Sequence, residues 1–573
     1  MVYSIEGQLS RDVFVNTNEE LMFTSGSLVV LLNIQRQSQR FYTGHNESIT
    51  CLTLHNSNLF AASGQQSGDD VMNDVASHDA HVRVWSVDNL AVTSQFGHGL
   101  LRGTVKKVEF SKTNEWLATV DLEHLTLWHW RNETALSRHR LGNGDVSVTS
   151  FIDEDTWLVT AGKNYFHFWQ VHDNGNLRKS LKSGIFDGDS PDMVTCLQVS
   201  FNGDVITGDS NGDVTFWRKA YDGVFSMKRQ IHADAGIRCM WNLADGSLVS
   251  AHEDGYVCSW DLLSENSFSK GKRKIGSSKF DVIMTSSRRG DDVLLCLSEN
   301  CNLMQGTLQS AWSTTQLGHR SRVNGVVMLS SYTQVCSCDS TGMVACWDLK
   351  RKEKVWCTTL ESETLCLDVH FDFEIVLLGC KSSSFIVLSS QSGERVCSRS
   401  LPAPATCVKF DDPNKTGSPY VAIATDDRKI QIFLVLDLGR AYVLQSSVPF
   451  HSGTIVQMDW SNDIKFLRVQ SKDHDVMIYD VTKKNKVTGQ LLLGSWRTND
   501  CSDDVGITCQ SNFGDVSARC AIGGIVKLFR KKELLKQFKC SSSDITSVCM
   551  TSQYVILGGG SQEIPLLHLW ELE

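Results

Sequence analysis

Leu248-Val249-Ser250-Ala251, followed closely by Asp254-Gly255-Tyr256-Val257-Cys258-Ser259-Trp260, reads as two short strands joined by a tight hairpin. Residues alternate with the two-residue period of a half-buried strand, and Asp254-Gly255 supplies the positive backbone angle of such a turn. Asn211-Gly212 repeats this turn in another stretch, and Thr341-Gly342 keeps at least the glycine. The closing tryptophan also recurs. Strands ending in it stand at His81-Val82-Arg83-Val84-Trp85, Leu125-Thr126-Leu127-Trp128, Phe166-His167-Phe168-Trp169, Val214-Thr215-Phe216-Trp217, Val344-Ala345-Cys346-Trp347 and Leu567-His568-Leu569-Trp570. From Trp85 to Trp260 the steps are 43, 41, 48 and 43 residues, the length of one four-stranded propeller blade rather than of a helical repeat.

Between these copies lie weaker ones that keep the alternation and lose tryptophan: Leu28 to Leu32, Leu303 to Leu308, Phe385 to Leu388, Ile430 to Phe433, Val476 to Tyr479 and Ile525 to Phe529. Thirteen units result, more than the four to eight that one ring holds. The sequence therefore predicts an all-β fold of two tandem β-propellers, seven blades plus six, packed as one rigid unit. Residues 1–33 read as a leading apolar segment with the first strands, 34–312 as the first propeller and 313–573 as the second. The cut is placed in Gln309 to Gln316, just before Gly318-His319.

The bulk numbers exclude several function classes. With 55 basic and 65 acidic residues the net charge is −10, which argues against a nucleic-acid protein dominated by phosphate contacts. No apolar run approaches the length of a membrane-crossing helix. The 19 cysteines are scattered through a long chain without a signal-peptide pattern, and are expected to be reduced thiols. Cys336-Ser337-Cys338 would place two thiols on one face of a strand, but no histidine pair follows at ligand spacing. No metal, cofactor or catalytic residue is expected.

Gly44-His45, Gly97-His98 and Gly318-His319 each open a unit. In the WD-type blade that these units resemble, such a histidine donates into a buried network ending on the strand tryptophan. His45 and His319 are accordingly read as structural, together with Trp85, Trp128, Trp169, Trp217, Trp260, Trp347 and Trp570. Asp209, Asp254 and Asp339 lie in or beside turns, where their oxygens can accept local backbone N–H bonds. Gly523-Gly524 and Gly559-Gly560 lack the following helix that would make a phosphate site.

Four basic clusters carry the candidate partner contacts: Lys272-Arg273-Lys274, Lys350-Arg351-Lys352, Lys483-Lys484 and Arg530-Lys531-Lys532. Each follows the last recognisable strand of its unit, so each is expected on a loop between units, where it can attract an acidic partner.

The stretch Gln37 to Trp85, with Phe41-Tyr42-Thr43-Gly44-His45, Cys51-Leu52-Thr53-Leu54-His55, Ala62-Ser63-Gly64-Gln65 and the strand to Trp85, closely resembles the first repeats of the echinoderm microtubule-associated protein-like family. The likeness continues in Phe110-Ser111-Lys112, Leu117 to Asp121, Leu127 to Trp130, Gly203 to Gly212, Gln305 to Leu308, His451-Ser452-Gly453 and Asp459-Trp460-Ser461. It implies a tandem pair of propellers, and binding to tubulin or microtubules in the cytoplasmic cytoskeleton, with a cilium or axoneme as a further setting. Ser4 to Asn33 is similar to the end of the family's apolar motif, and the resemblance puts Val13, Phe14, Val29 and Leu31 in a core. The chain departs from the family in having no coiled coil before the repeats, in the polar stretch Trp496 to Cys520, and in Gln562-Glu563-Ile564-Pro565 of the last unit. The leading expectation is a non-enzymatic tubulin-binding protein, with no nucleic-acid or membrane partner. The alternative is a scaffold for another ciliary, axonemal or signalling assembly.

Overall fold

The computed structural model describes the chain from residue 12 to residue 571, except for 34–37, 69–78, 142–144, 181–192, 221–224, 261–268, 275–279, 287–292, 299–301, 307–312, 330–332, 412–419, 450–452, 488–495, 497–506, 531–532, 541–543, 561–564 and a few single positions or pairs. Within them the chain forms thirteen antiparallel sheets, twelve of four strands and one of three, each a meander in sequence order. We number these blades in order: blades 1 to 7 span 14–42, 49–96, 107–140, 145–179, 194–232, 237–274 and 280–316. Blades 8 to 13 span 323–359, 364–400, 405–449, 455–487, 507–539 and 545–571. The strands of each blade are a to d from the axis outward.

The described residues divide into two compact units, the one up to 318 with seven blades and the one from 319 with six. In the seven-bladed unit first strands meet blade after blade, and Phe14–Val15 of blade 1 touches Phe280–Ser286 of blade 7, which closes the ring. In the six-bladed unit strand a of blade 8, Val323–Met328, touches that of blade 13, Ile545–Met550. The stretch Gln309 to Gln316, expected to be a linker, contains Ser313–Gln316, strand d of blade 7. Its alternation was too polar to show as a strand, because outer strands face water.

Blade cores come from the alternation. In blade 1, Val29 and Leu31 are fully buried with Met22 and pack on Tyr42 of the same blade and Trp85 of the next, with Phe14 at the margin. Tyr42 stacks on Trp85 at 4.4 Å between centroids. The polar stretch Trp496 to Cys520, named above as a departure from the family, contributes Ile507–Phe513 and most of Val516–Ala521, strands a and b of blade 12. Trp496, before them, is buried, bridges to Ser461 of blade 11, and carries the Arg468 guanidinium 4.7 Å from its ring centre.

Candidate partner-binding face and the buried network behind it

A buried hydrogen-bond network fixes strands b and c in six blades. The Trp85 indole donates to Ser63 Oγ at 3.1 Å, Trp128 to Thr119 at 2.8 Å, Trp169 to Thr160 at 2.8 Å, Trp217 to Thr207 at 3.0 Å, Trp260 to Ser250 at 2.7 Å and Trp347 to Ser337 at 2.8 Å. A buried indole N–H without a partner is costly, so a hydroxyl one strand away recurs. His319 completes the network in blade 8, with Nε2 2.6 Å from Ser337 Oγ and Nδ1 3.0 Å from Asp339. His45 does so in blade 2, with 2.7 Å to Ser63 and 2.9 Å to Gln65. In blade 6 the histidine comes from strand b itself: His252 Nε2 lies 2.8 Å from Ser250 Oγ. His98 does not follow this pattern. It is exposed, stacks on His81 at 4.4 Å and pairs with Gln95. Gly97, at φ +100, turns the chain here so that its histidine stays outside the blade. Trp570 lies on strand c of blade 13 opposite Val555.

The turn aspartates serve the backbone. Asp209 accepts from the N–H groups of Asn211 at 2.9 Å and Asp213 at 2.8 Å, and Asp339 from Thr341 at 2.9 Å and Met343 at 3.0 Å. Burial pushes the Asp339 carboxyl up, but the His319 ring beside it, with Thr341 and Met343, outweighs that and holds it below its ordinary value. The described cysteines form no disulfide. Burial pushes the thiols of Cys51, Cys338 and Cys346 up to about 12, so they stay protonated. Among the described residues no group of three histidine, cysteine or acidic side chains is placed to hold a metal ion.

Burial drives His45 down to about 3, and His81 to about 4. An unfolded chain therefore binds more protons at these sites between about pH 6.5 and their folded values. Their neutral-form stabilisation is complete above pH 6.5 and is lost as the pH falls toward 4. We expect the melting temperature to drop over pH 6.5 to 4.5, with a shallower slope in His45→Gln; parallel slopes in the two chains would contradict this origin.

The basic clusters lie elsewhere than the loops between units. Lys272, Arg273 and Lys274 are on Ser269–Lys274, strand d of blade 6. Lys272 Nζ is 2.7 Å from Asp234 and 4.6 Å from the centre of the Tyr256 ring. Lys350 and Arg351 form the c–d turn of blade 8, their N–H groups held by Asp348 at 3.0 and 2.8 Å. Lys483 and Lys484 form that of blade 11, held by Asp480, which accepts from Lys483 N at 2.8 Å. Arg530 ends strand c of blade 12. Lys352, Lys531 and Lys532 lie outside the described residues. In blades 8 and 11 the aspartate after the signature aromatic, Asp348 or Asp480, caps the c–d hairpin, so these basic residues sit inside a blade rather than after it.

This placement gives the turns a common direction. In an antiparallel meander the a–b and c–d turns share one end of the sheet, and blades repeated about an axis present that end on one side of the ring. On this side of the six-bladed unit, exposed Lys350, Arg351, Arg440, Lys483 and Lys484 occupy c–d turns, against Glu394 and Asp437. The described c–d turns of the seven-bladed unit carry exposed Asp88, Glu133 and Asp173 against Arg131. Equivalent positions thus bear opposite charge in the two units.

Rings of four-stranded blades with a histidine–hydroxyl–tryptophan network define the class of WD-repeat β-propeller proteins. Residues 38–306 match the profile described as the echinoderm microtubule-associated protein first beta-propeller. The chain is 26% identical to the 77 kDa echinoderm microtubule-associated protein of Lytechinus variegatus, over 98% of this chain and 87% of that one. It is 25% identical to Echinoderm microtubule-associated protein-like 2 of Rattus norvegicus, over 99% of this chain and 90% of that one. Echinoderm microtubule-associated protein-like 1 of Homo sapiens is 28% identical over 83% of this chain and 58% of its own length. The chain thus carries a propeller of the echinoderm microtubule-associated protein type over 38–306 and is similar to these proteins over nearly its whole length.

Proposed function

We propose that this protein is a non-enzymatic microtubule-associated protein of the cytoskeleton that binds tubulin through the basic c–d turns of its six-bladed unit. The relatives named above are microtubule-associated proteins, which supports the class. The observation that carries the binding face is that exposed Lys350, Arg351, Lys483 and Lys484 occupy c–d turns on one side of the six-bladed unit, in an otherwise acidic chain. Tubulin is acidic, and a basic patch on an acidic protein orients such a partner as it approaches.

Sedimentation of the purified chain with polymerised tubulin tests the reading. The chain is expected to pellet at low salt and to be released as salt is raised, since exposed charge pairs are screened beyond about 8 to 10 Å. Reversing Lys350, Arg351, Lys483 and Lys484 to glutamate should weaken binding on the order of tenfold while melting stays close to that of the parent. No pelleting at low salt would favour a scaffold for another assembly instead.

A further inference from the structure

Four of the large exposed apolar side chains at the described surface fall in one nine-residue stretch of blade 10: Leu436 at 40%, Leu438 at 65%, Val443 at 45% and Leu444 at 45%. They belong to the hairpin of Lys429–Leu436 and Ala441–Pro449. Register pairs Leu434 with Val443 and Leu436 with Ala441, so Leu436 and Val443 share one face of the hairpin end, Leu438 lies in the turn between the strands, and Leu444, opposite Phe433, stands on the other face. The opposite face, with Phe433, Val435 and Tyr442, is buried with Phe385 and Leu401 of blade 9. Farther from the turn, Ile430, Ile432 and Val448 pack on Trp460 and Tyr479 of blade 11.

The turn itself is strained. Asp437, Leu438 and Gly439 are consecutive left-handed residues, at φ 48, 52 and 85, a conformation that leucine rarely adopts. Arg440 N donates to Asp437 O at 3.0 Å, and Cys397 Sγ donates to Gly439 O at 3.6 Å, so the surroundings hold the turn in place. A leucine kept in water in a disfavoured backbone region is disfavoured on both counts, and such outliers persist where the structure around them enforces a use. At the same end, Arg440 stands on this turn and Lys483 and Lys484 on that of the next blade.

We propose that this hairpin end, with Leu438 at its tip, is the apolar centre of a docking surface whose margin is basic. The partner it fits is an acidic protein surface with an apolar recess; resting on the function proposed above, that partner is the tubulin dimer. Apolar anchors inside a polar rim carry most of the affinity of such contacts.

The full chain, Leu438→Gly, Val443→Glu and the control Leu59→Glu, exposed on blade 2, are compared for tubulin binding at low and raised salt. Leu438→Gly is expected to weaken binding about tenfold yet to melt at the parent temperature or above it, because glycine accepts the left-handed angle. Val443→Glu should weaken binding as much, and Leu59→Glu should bind like the parent. Binding to tubulin by the parent with no change in either hairpin variant overturns this inference alone. A parent chain that does not bind tubulin overturns it together with the proposed function. Self-association of the parent that Val443→Glu abolishes would seat a second copy on the face, and also overturns it.

Discussion

Replacing Trp347 with alanine is expected to destabilise the six-bladed unit by about 3–5 kcal/mol, the range for losing a large buried aromatic. Trp347 is 1% exposed, and its ring fills the space beside strand b of blade 8. The loss would not end with volume. Ser337 Oγ receives the indole N–H at 2.8 Å and lies 2.6 Å from His319, and His319 in turn abuts Asp339. Asp339 orders the turn through Thr341 and Met343, while its own carbonyl accepts from the Thr364 hydroxyl of blade 9 at 2.6 Å. One substitution therefore loosens a blade, its turn and a contact with the next blade. Trp347→Phe keeps most of the volume and removes the donor, so about 1–3 kcal/mol is expected. Denaturant unfolding of the two variants checks the order. Glutamates at Lys350 and Arg351, a few residues away but exposed, should change stability by no more than about 0.5 kcal/mol. An alanine variant that unfolds with the parent would remove the network from the account of stability.

The repeat was legible because the signature tryptophan must be large, buried and bonded, and few other residues satisfy all three. Blade 1 was legible as a unit at Leu28 to Leu32, although Leu28–Asn33 is apolar at nearly every position, a pattern that a buried strand and a core helix share. The basic clusters were visible as composition, yet their address was not. An aspartate directly after the signature aromatic, as at Asp348 and Asp480, closes a hairpin and continues the blade. His98 shows the opposite failure, since a glycine–histidine pair gives no sign of which side of the sheet the ring takes. The Asp437–Gly439 turn left no mark in the sequence beyond its glycine, because left-handed leucine is imposed by packing and not by propensity.

A second feature that sequence reading missed is the clasp between blades. Strand a carries a bulge at its start in blade after blade, and a hydroxyl at the bulged position reaches the next blade's carbonyl. Thr50 donates to Val105 O, Ser147 to Val194 O and Thr195 to Ile237 O, each at 2.5 Å. The sign was available: a serine or threonine just inside the first strand, on a residue whose alternation is broken by the bulge. At Thr546 the same clasp closes the six-bladed ring, because its hydroxyl donates to Val323 O at 2.5 Å across most of the unit's sequence. Removing it with Thr546→Val leaves the shape and takes away the donor, at a cost of about 1 kcal/mol.

Gly558 sits where that closure is tightest, and Gly558→Val is expected to destabilise the unit by about 3 kcal/mol, at the upper end of overpacking changes. The glycine lies on Tyr554–Gly560, strand b of blade 13, and a side chain there would meet Val326 Cγ2 at 2.5 Å and Val323 Cγ1 at 2.9 Å. Neither valine can retreat, since Val323 is fully buried and Val326 N is bonded to Ser547 Oγ at 3.0 Å. Blades 8 and 13 would have to part. A ring in which each blade contacts its neighbours loses more from one opened junction than from a distant surface change, because both edges are then left to water. Hydrogen exchange should locate the damage: faster exchange of Val323–Met328 and Ile545–Met550, with blade 10 still protected. Gly271→Ala, on an exposed strand with open space around its α-carbon, should unfold like the parent. Equal protection of Val323–Met328 in the parent and in Gly558→Val would mean that the ring does not depend on this junction, and the stability of the six blades would then have to come from within each sheet.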